Sequence, residues 1–267
     1  MIGDVFVGDG AGERLRVRLR EAKALGADLA VLPELACNPW SPATQTPLDD
    51  DAEPLGGPRC TMQARAALDI GIALLGSAII NTDGHRHNTC LLWDSDGSLQ
   101  GTYCKHHVPH EPGFWETCHY EPAPDSDLIA PIPFRGPLVG VQICSDMNRP
   151  QGTHLLSAAG AVVIIGPRST EAATYERWRP VWIANAITSA CYVCSVNRPG
   201  PENGIPIGGG SIAVAPDGEV LVETDEPISI FTIEQSRLEQ AKIDYPGYLP
   251  VRSTLYAANW ADLLDKE

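Results

Sequence analysis

Leu25-Gly26-Ala27-Asp28-Leu29-Ala30-Val31-Leu32-Pro33-Glu34 and Ala159-Gly160-Ala161-Val162-Val163-Ile164-Ile165-Gly166-Pro167-Arg168 share one plan: Gly-Ala, a short apolar run, then Pro and a charged residue. An apolar run of that length between Gly and Pro reads as a buried strand. Around the first copy, residues 2–7 read as a weak strand interrupted by Gly3 and Gly8, and residues 12–25 carry helical spacing with their charges on one side. Beyond a Pro- and Asp-rich loop at 38–58, residues 59–70 read as a helix and 72–80 as a strand. Strands at 89–93 and 99–104 follow, joined by Asp94-Ser95-Asp96-Gly97, which has the composition of a hairpin turn. The second half repeats the order. Gly71-Ile72-Ala73-Leu74-Leu75-Gly76-Ser77-Ala78 matches Ala190-Cys191-Tyr192-Val193-Cys194-Ser195-Val196-Asn197, and Asp96-Gly97 has its counterpart in Asp217-Gly218. Two β-rich halves with interleaved helices predict an α/β fold: two sheets face to face with helices outside, a four-layer αββα sandwich with an internal pseudo-two-fold repeat.

The 267 residues include 34 acids against 19 Lys plus Arg, a formal charge of −15, with 43% apolar residues. Such a balance lacks the clustered cations that bind phosphate backbones or anionic lipid, so nucleic-acid and membrane-surface partners are set aside. The longest apolar stretch, 158–165, is far shorter than the roughly 20 residues that span a bilayer. No basic region followed by an apolar run marks a secretory signal, and eight cysteines in a chain this long read as free thiols in a reducing compartment. A cytoplasmic location is expected. Without a flexible linker, a single domain over 1–267 is the better count. Within it, 241–267, with Tyr245, Tyr248 and Trp260, is too aromatic for a solvated tail and is expected to pack on the body or on a partner subunit.

Three residues of chemical interest end strands. Glu34 follows 28–32, at the edge where α/β proteins bind ligands, and can serve as a base. Cys144 ends the strand 138–143, with a helix expected near Arg149-Pro150, so backbone N–H groups can stabilise a thiolate or an oxyanion there. Lys105 follows 99–104, flanked by His106, His107 and Trp115.

The segments around Glu34 (Gly26-Ala27-Asp28-Leu29-Ala30-Val31-Leu32-Pro33-Glu34-Leu35), Lys105 (Tyr103-Cys104-Lys105-His106-His107-Val108-Pro109) and Cys144 (Gly140-Val141-Gln142-Ile143-Cys144-Ser145-Asp146) resemble the nitrilase, or carbon–nitrogen hydrolase, superfamily. The Gly-rich strand from Gly208 joins them, and the resemblance runs from about residue 12 to 233. It implies the αββα sandwich, pairing into homodimers or larger assemblies, and a Glu-Lys-Cys triad. Glu34 is then the base, Lys105 the oxyanion stabiliser with the Ser145 N–H, and Cys144 the nucleophile that forms a thioester with an amide or carbamoyl substrate. Water hydrolyses that thioester without a metal or organic cofactor. A second glutamate orients Lys105 and the water; Glu116, in a segment resembling carbamoyl-amide hydrolases, is preferred over Glu111. Ser145-Asp146 resembles the amidase and carbamoylase branch, whereas nitrilases carry Trp-Glu there. Nitrile hydrolysis and a non-catalytic binding role are the alternatives.

Two departures stand out: Met147-Asn148 precedes Arg149 where carbamoyl-amino-acid hydrolases place arginines, and Gln151 occupies a position expected to be acidic. Arg168, equivalent to Glu34 by the repeat, could bind an anionic substrate group. Trp40, Trp115 and Trp178 could wall the pocket. Cys104, His106, His107, His110, Cys118 and His119 crowd together but fit no closed zinc spacing. Cys191 and Cys194 have redox spacing but lie inside a strand, where packing is the better account.

Overall fold

The computed structural model describes residues 1–127 and 129–264. Helix α1 (Ala11–Ala24) buries Ala11, Leu15, Leu19 and Ala22, one stripe at helical spacing, and turns its charges outward. Helix α2 (Pro58–Ile70) has Pro at its first position and stops at Gly71, whose φ of 69° suits a residue without Cβ. Both lie on a sheet ordered β1 (Leu29–Val31), β3 (Ala73–Thr82), β4 (His85–Trp93) and β5 (Leu99–Cys104), with the two-residue β2 (Ala52–Glu53) also paired to β3. β1 runs parallel to β3, and the β3–β4 and β4–β5 pairs are antiparallel.

The second sheet holds six strands in the order β11 (Val220–Thr224), β10 (Ser211–Val214), β9 (Tyr192–Asn197), β8 (Ala161–Arg168), β7 (Leu138–Val141) and β6 (Ile132–Pro133). Here β8 runs parallel to β9, and β9–β10 and β10–β11 are antiparallel, so the pairing of β1, β3, β4 and β5 recurs in β8, β9, β10 and β11. Helices α3 (Pro150–Ala158) and α4 (Tyr175–Ser189) take the places of α1 and α2.

Period-two alternation builds the layers. Val31, Leu75, Val163, Ile165 and Cys194 meet between the sheets; Ala30, Leu32 and Leu74 face α1 and α2; Ile164, Cys191 and Val193 face α3 and α4. Each fully buried aliphatic side chain contributes about 1.5–3 kcal/mol. Cys191 and Cys194 therefore lie on opposite faces of one sheet, and all eight cysteines are free thiols.

One expectation needs correction. Residues 2–7 do not form a strand: Ile2 donates to the Val31 oxygen at 2.8 Å and bridges Ile228, but Gly3 then bonds Pro227 and Phe6 bonds Ala36. Successive residues thus pair with different segments, and no ladder propagates. Of the two places expected for the tail, its own body takes little of it. Helix α5 (Gln235–Ile243) buries only Leu238, and α6 (Ser253–Leu264) has no buried residue, with Trp260 54% exposed. Residues 265–267 of that tail lie outside the described residues. Among the described residues no helix is long and apolar enough to cross a membrane.

Candidate active site

Strand ends deliver the site. Glu34 lies three residues past β1, in a turn where Leu35 takes φ 48° and donates to Ser77 Oγ at 2.7 Å. Lys105 directly follows β5, its N–H on the Asn88 oxygen at 2.9 Å and its own oxygen taken by the Ala123 N–H at 2.8 Å. Cys144 opens a 3-10 turn, Cys144–Asn148, after β7, with φ 49°. Glu116 opens another, Glu116–Cys118, between Trp115, whose N–H bonds the Pro42 oxygen, and Tyr120. Left-handed backbone at a bulky Leu and at a Cys is strained, and here it flanks both the base and the thiol candidates.

The four side chains converge. Lys105 Nζ lies 2.8 Å from Glu34 Oε1 and 2.5 Å from Glu116 Oε2, and all three residues are 0% exposed, whereas Cys144 keeps 9%. Cys144 Sγ lies 4.0 Å from the Ser169 oxygen, and Ser169 Oγ reaches the backbone oxygen of Glu34 at 3.4 Å. Asn88 Nδ2 donates to Glu34 Oε1 at 2.8 Å, and the Tyr120 hydroxyl donates to Glu116 Oε2. Glu34 Oε2 and Glu116 Oε1 are buried without a hydrogen-bond partner. Of the two glutamates considered for the second position, Glu116 lies against Lys105, while Glu111 is exposed.

Burial works against the Lys105 ammonium, but Glu116 and Glu34 outweigh it and hold the group protonated well above its ordinary value. Burial pushes Glu116 up to about 7, with Lys105 opposing and Glu34 reinforcing the rise. Burial, then the Glu34 charge, raise the Cys144 thiol, and Lys105 draws it back. The resting nucleophile candidate is thus a thiol beside carboxylates able to take its proton. Lys105 has three N–H donors and uses two on carboxylates, which leaves one for a substrate oxygen.

Asp146 latches the cysteine turn to the lysine loop. Its Oδ1 accepts the His107 N–H at 2.8 Å and lies 2.7 Å from His107 Nδ1, and its Oδ2 accepts the Tyr103 hydroxyl at 2.9 Å. The Ser145 hydroxyl donates to the His107 oxygen, so this side chain is engaged in the latch.

Several sequence candidates lie elsewhere. Arg168 is 1% exposed: its guanidinium bonds Ser195 Oγ and Thr170 Oγ1, both at 2.9 Å, and the Gly210 oxygen, and it stacks 4.5 Å over Trp182. Every guanidinium nitrogen faces the fold, so Arg168 is not available to a substrate anion; burial lowers its pKa to about 10. Trp178, on α4, packs against the apolar cluster that α3 and α4 form on the outer face of the second sheet. Trp40 is fully buried, its indole N–H on the Gly113 oxygen at 3.0 Å, and half-buried Trp115 meets the His110 ring edge-on at 5.0 Å. Gln151 is exposed at the start of α3. The cysteines and histidines of 104–119 disperse: Cys104 to Thr89, His106 to Tyr103, His110 to Thr117, and His119 to the Thr44 oxygen. Among the described residues no group of three or more His, Cys, Asp or Glu is arranged to hold a metal ion.

Asn88, Tyr120, Ser169 and Arg198 also shape the site and are absent from the sequence reading. Asn88 alone left a signal, as a polar residue directly before the strand read at 89–93.

On a paired-sheet scaffold, Glu34, Lys105 and Cys144 after strands and Glu116 in a loop turn come together around one buried ammonium. The chain belongs to the carbon–nitrogen hydrolase family, whose model matches residues 13–243. It is 28% identical over 249 residues to omega-amidase NIT2 of Homo sapiens, covering 90% of this chain and 88% of that one. It is 24% identical over 256 residues to N-carbamoylputrescine amidase of Arabidopsis thaliana, covering 90% and 84%. The crystal structure of a carbon–nitrogen hydrolase from Helicobacter pylori G27 shares the fold, with a TM-score of 0.85 at 22% identity over 98% of this chain and 96% of that one.

Proposed function

We propose that the protein hydrolyses amides or N-carbamoyl amines through a Cys144 thioester, with Glu34 as base, Lys105 as oxyanion stabiliser and Glu116 orienting both Lys105 and the water. The observation that carries this reading is the sharing of one buried ammonium between two buried carboxylates beside the Cys144 thiol. The Cys144 Sγ–H proton passes to the free Oε2 of Glu34 as the S–C bond forms. The oxyanion meets the third Lys105 proton and the Ser145 N–H. The C–N bond breaks as Glu34 returns the proton to the leaving nitrogen. Water, its proton taken by Glu34, then adds to the thioester; the C–S bond breaks and the proton returns to sulfur. A primary amide yields ammonia and a carboxylate; an N-carbamoyl amine yields the amine, ammonia and carbon dioxide. No step needs a cofactor.

The substrate is proposed to be neutral or cationic away from the reacting carbon. The loops that pack around the site, 38–58, 106–127, 169–174 and 199–210, carry acids and not one Lys or Arg. Arg168 and Arg198 both face the fold. A substrate carboxylate would meet repulsion and no fork to receive it. The apolar tail supports a second copy of the chain as partner, and the thiol chemistry supports a reducing, cytoplasmic setting.

The test is ammonia release from matched amides with neutral, ammonium and carboxylate tails, beside N-carbamoyl amines and nitriles, with Cys144→Ala as control. Turnover lost in Cys144→Ala, with the carboxylate series at least about tenfold poorer in kcat/KM, is the expected result. Turnover that survives the substitution, or preference for the carboxylate series, overturns the corresponding half of the reading.

A further inference from the structure

The hydrogen bonds around Lys105 close into a ring. Lys105 bonds Glu34 Oε1; Asn88 Nδ2 bonds that same oxygen at 2.8 Å and lies 3.4 Å from the Tyr120 hydroxyl; that hydroxyl donates to Glu116 Oε2, which also holds Lys105. Each carboxylate therefore has one oxygen bonded twice and one buried without a partner. We propose that Tyr120 is a positioning residue that decides which oxygen of Glu116 is left free for the water that opens the thioester. This rests on the hydrolase reading above.

Chemistry and packing point the same way. The terminal torsion of a glutamate is broad, so a buried carboxylate beside a single ammonium can turn to chelate it with both oxygens. A second donor on Oε2 forbids that rotation and keeps Oε1 out of the Lys105 contact. Tyr120 is built for the role: it is 2% exposed, packs in the cluster of Leu35, Trp40 and Phe114, and its backbone N–H donates to the backbone oxygen of Glu116 at 3.0 Å. Burial, then the charges of Glu116 and Glu34, hold its phenol protonated, so it acts only as a donor to carboxylate. The hydroxyl is fully used, with Asn88 giving and Glu116 receiving. Lys105, Glu34 and Cys144 are the other titratable groups facing Glu116.

Tyr120→Phe keeps the ring and removes the donor. Losing a hydrogen bond to a charged group predicts a fall in kcat of about tenfold to a hundredfold with no rise in KM. Acyl-Cys144 is expected to accumulate at saturating amide, read by mass spectrometry of the quenched protein. The carboxyl carbon of Glu116, followed by carbon-13 NMR with Glu116→Gln for assignment, is expected to titrate at higher pH in Tyr120→Phe. In a Glu116→Gln background, Tyr120→Phe should add little. A wild-type titration and wild-type kcat in Tyr120→Phe, or a loss that adds in full to that of Glu116→Gln, overturns the proposal. The NMR titration needs no turnover, so it still decides the role of Tyr120 if no amide is hydrolysed and the hydrolase reading fails.

Discussion

The guanidinium of Arg198, one residue past β9, lies 3.1 Å from the backbone oxygen of Glu34, three residues past β1. It also holds the oxygens of Leu35 at 2.7 Å and Asn38 at 3.2 Å, and it pairs with Glu202 at 2.5 Å. Glu202 in turn accepts the Trp40 N–H at 2.6 Å. The second half of the chain thereby fixes the left-handed turn that presents the base candidate of the first half.

Arg198 is 0% exposed, so its replacement removes a buried charge, takes one donor from each of three carbonyl oxygens and leaves Glu202 Oε2 without its guanidinium partner. Arg198→Met is expected to cost about 3–5 kcal/mol of stability in urea denaturation, and to lower kcat beyond what unfolding explains. Arg198→Lys, a point charge without the planar fork, should recover part of the stability and little of the kcat.

Glu116 makes stability fall as pH rises. Its carboxyl titrates at about 7 in the folded chain and near 4.5 when unfolded, so the folded state binds more protons between those values. The stabilisation is full below about 4.5 and is lost as pH rises through about 7. The urea midpoint of the wild type relative to Glu116→Gln is expected to drop over that window. The rate should move the opposite way, with an acid limb in kcat/KM near pH 7, because the carboxylate form is the one that can hold Lys105 and water.

The tail prediction concerns assembly. Tyr245, Tyr248, Val251, Tyr256, Trp260 and Leu264 are each more than half exposed. Sedimentation is expected to show a dimer or larger assembly, and deletion beyond Ile243 should release monomers with unchanged far-UV circular dichroism, since α6 buries nothing within its own chain. A wild-type monomer would contradict the proposal.

Much of this could be read in the sequence because strands and their ends are local signals. Alternating or continuous apolar runs with Gly and Pro at their borders mark β1, β3, β8 and β9, and whatever polar residue follows such a run stands at a sheet edge. That logic points to Glu34 after β1, and the strand readings 99–104 and 138–143 point in the same way to Lys105 and Cys144. It fails at Arg168, because a strand-end position does not say whether a side chain turns outward or back onto Ser195 and Gly210. It fails for Asn88 and Tyr120, whose roles exist only once β4 and the Glu116 turn meet. At residues 2–7 the propensity was adequate for a strand, but partners drawn from three separate segments leave no ladder to join.

The repeat gives equivalent strand ends opposite fates. After β1 a carboxylate meets Lys105; at the end of β8 a guanidinium turns inward. The backbone is duplicated and the chemistry is single, so the molecule carries its own control. A substitution of Arg168 acts first on folding and reaches the thiol through the neighbouring Ser169, whereas one of Glu34 strikes reactivity directly, so the two ends separate what reactivity demands of this architecture from what mere folding does.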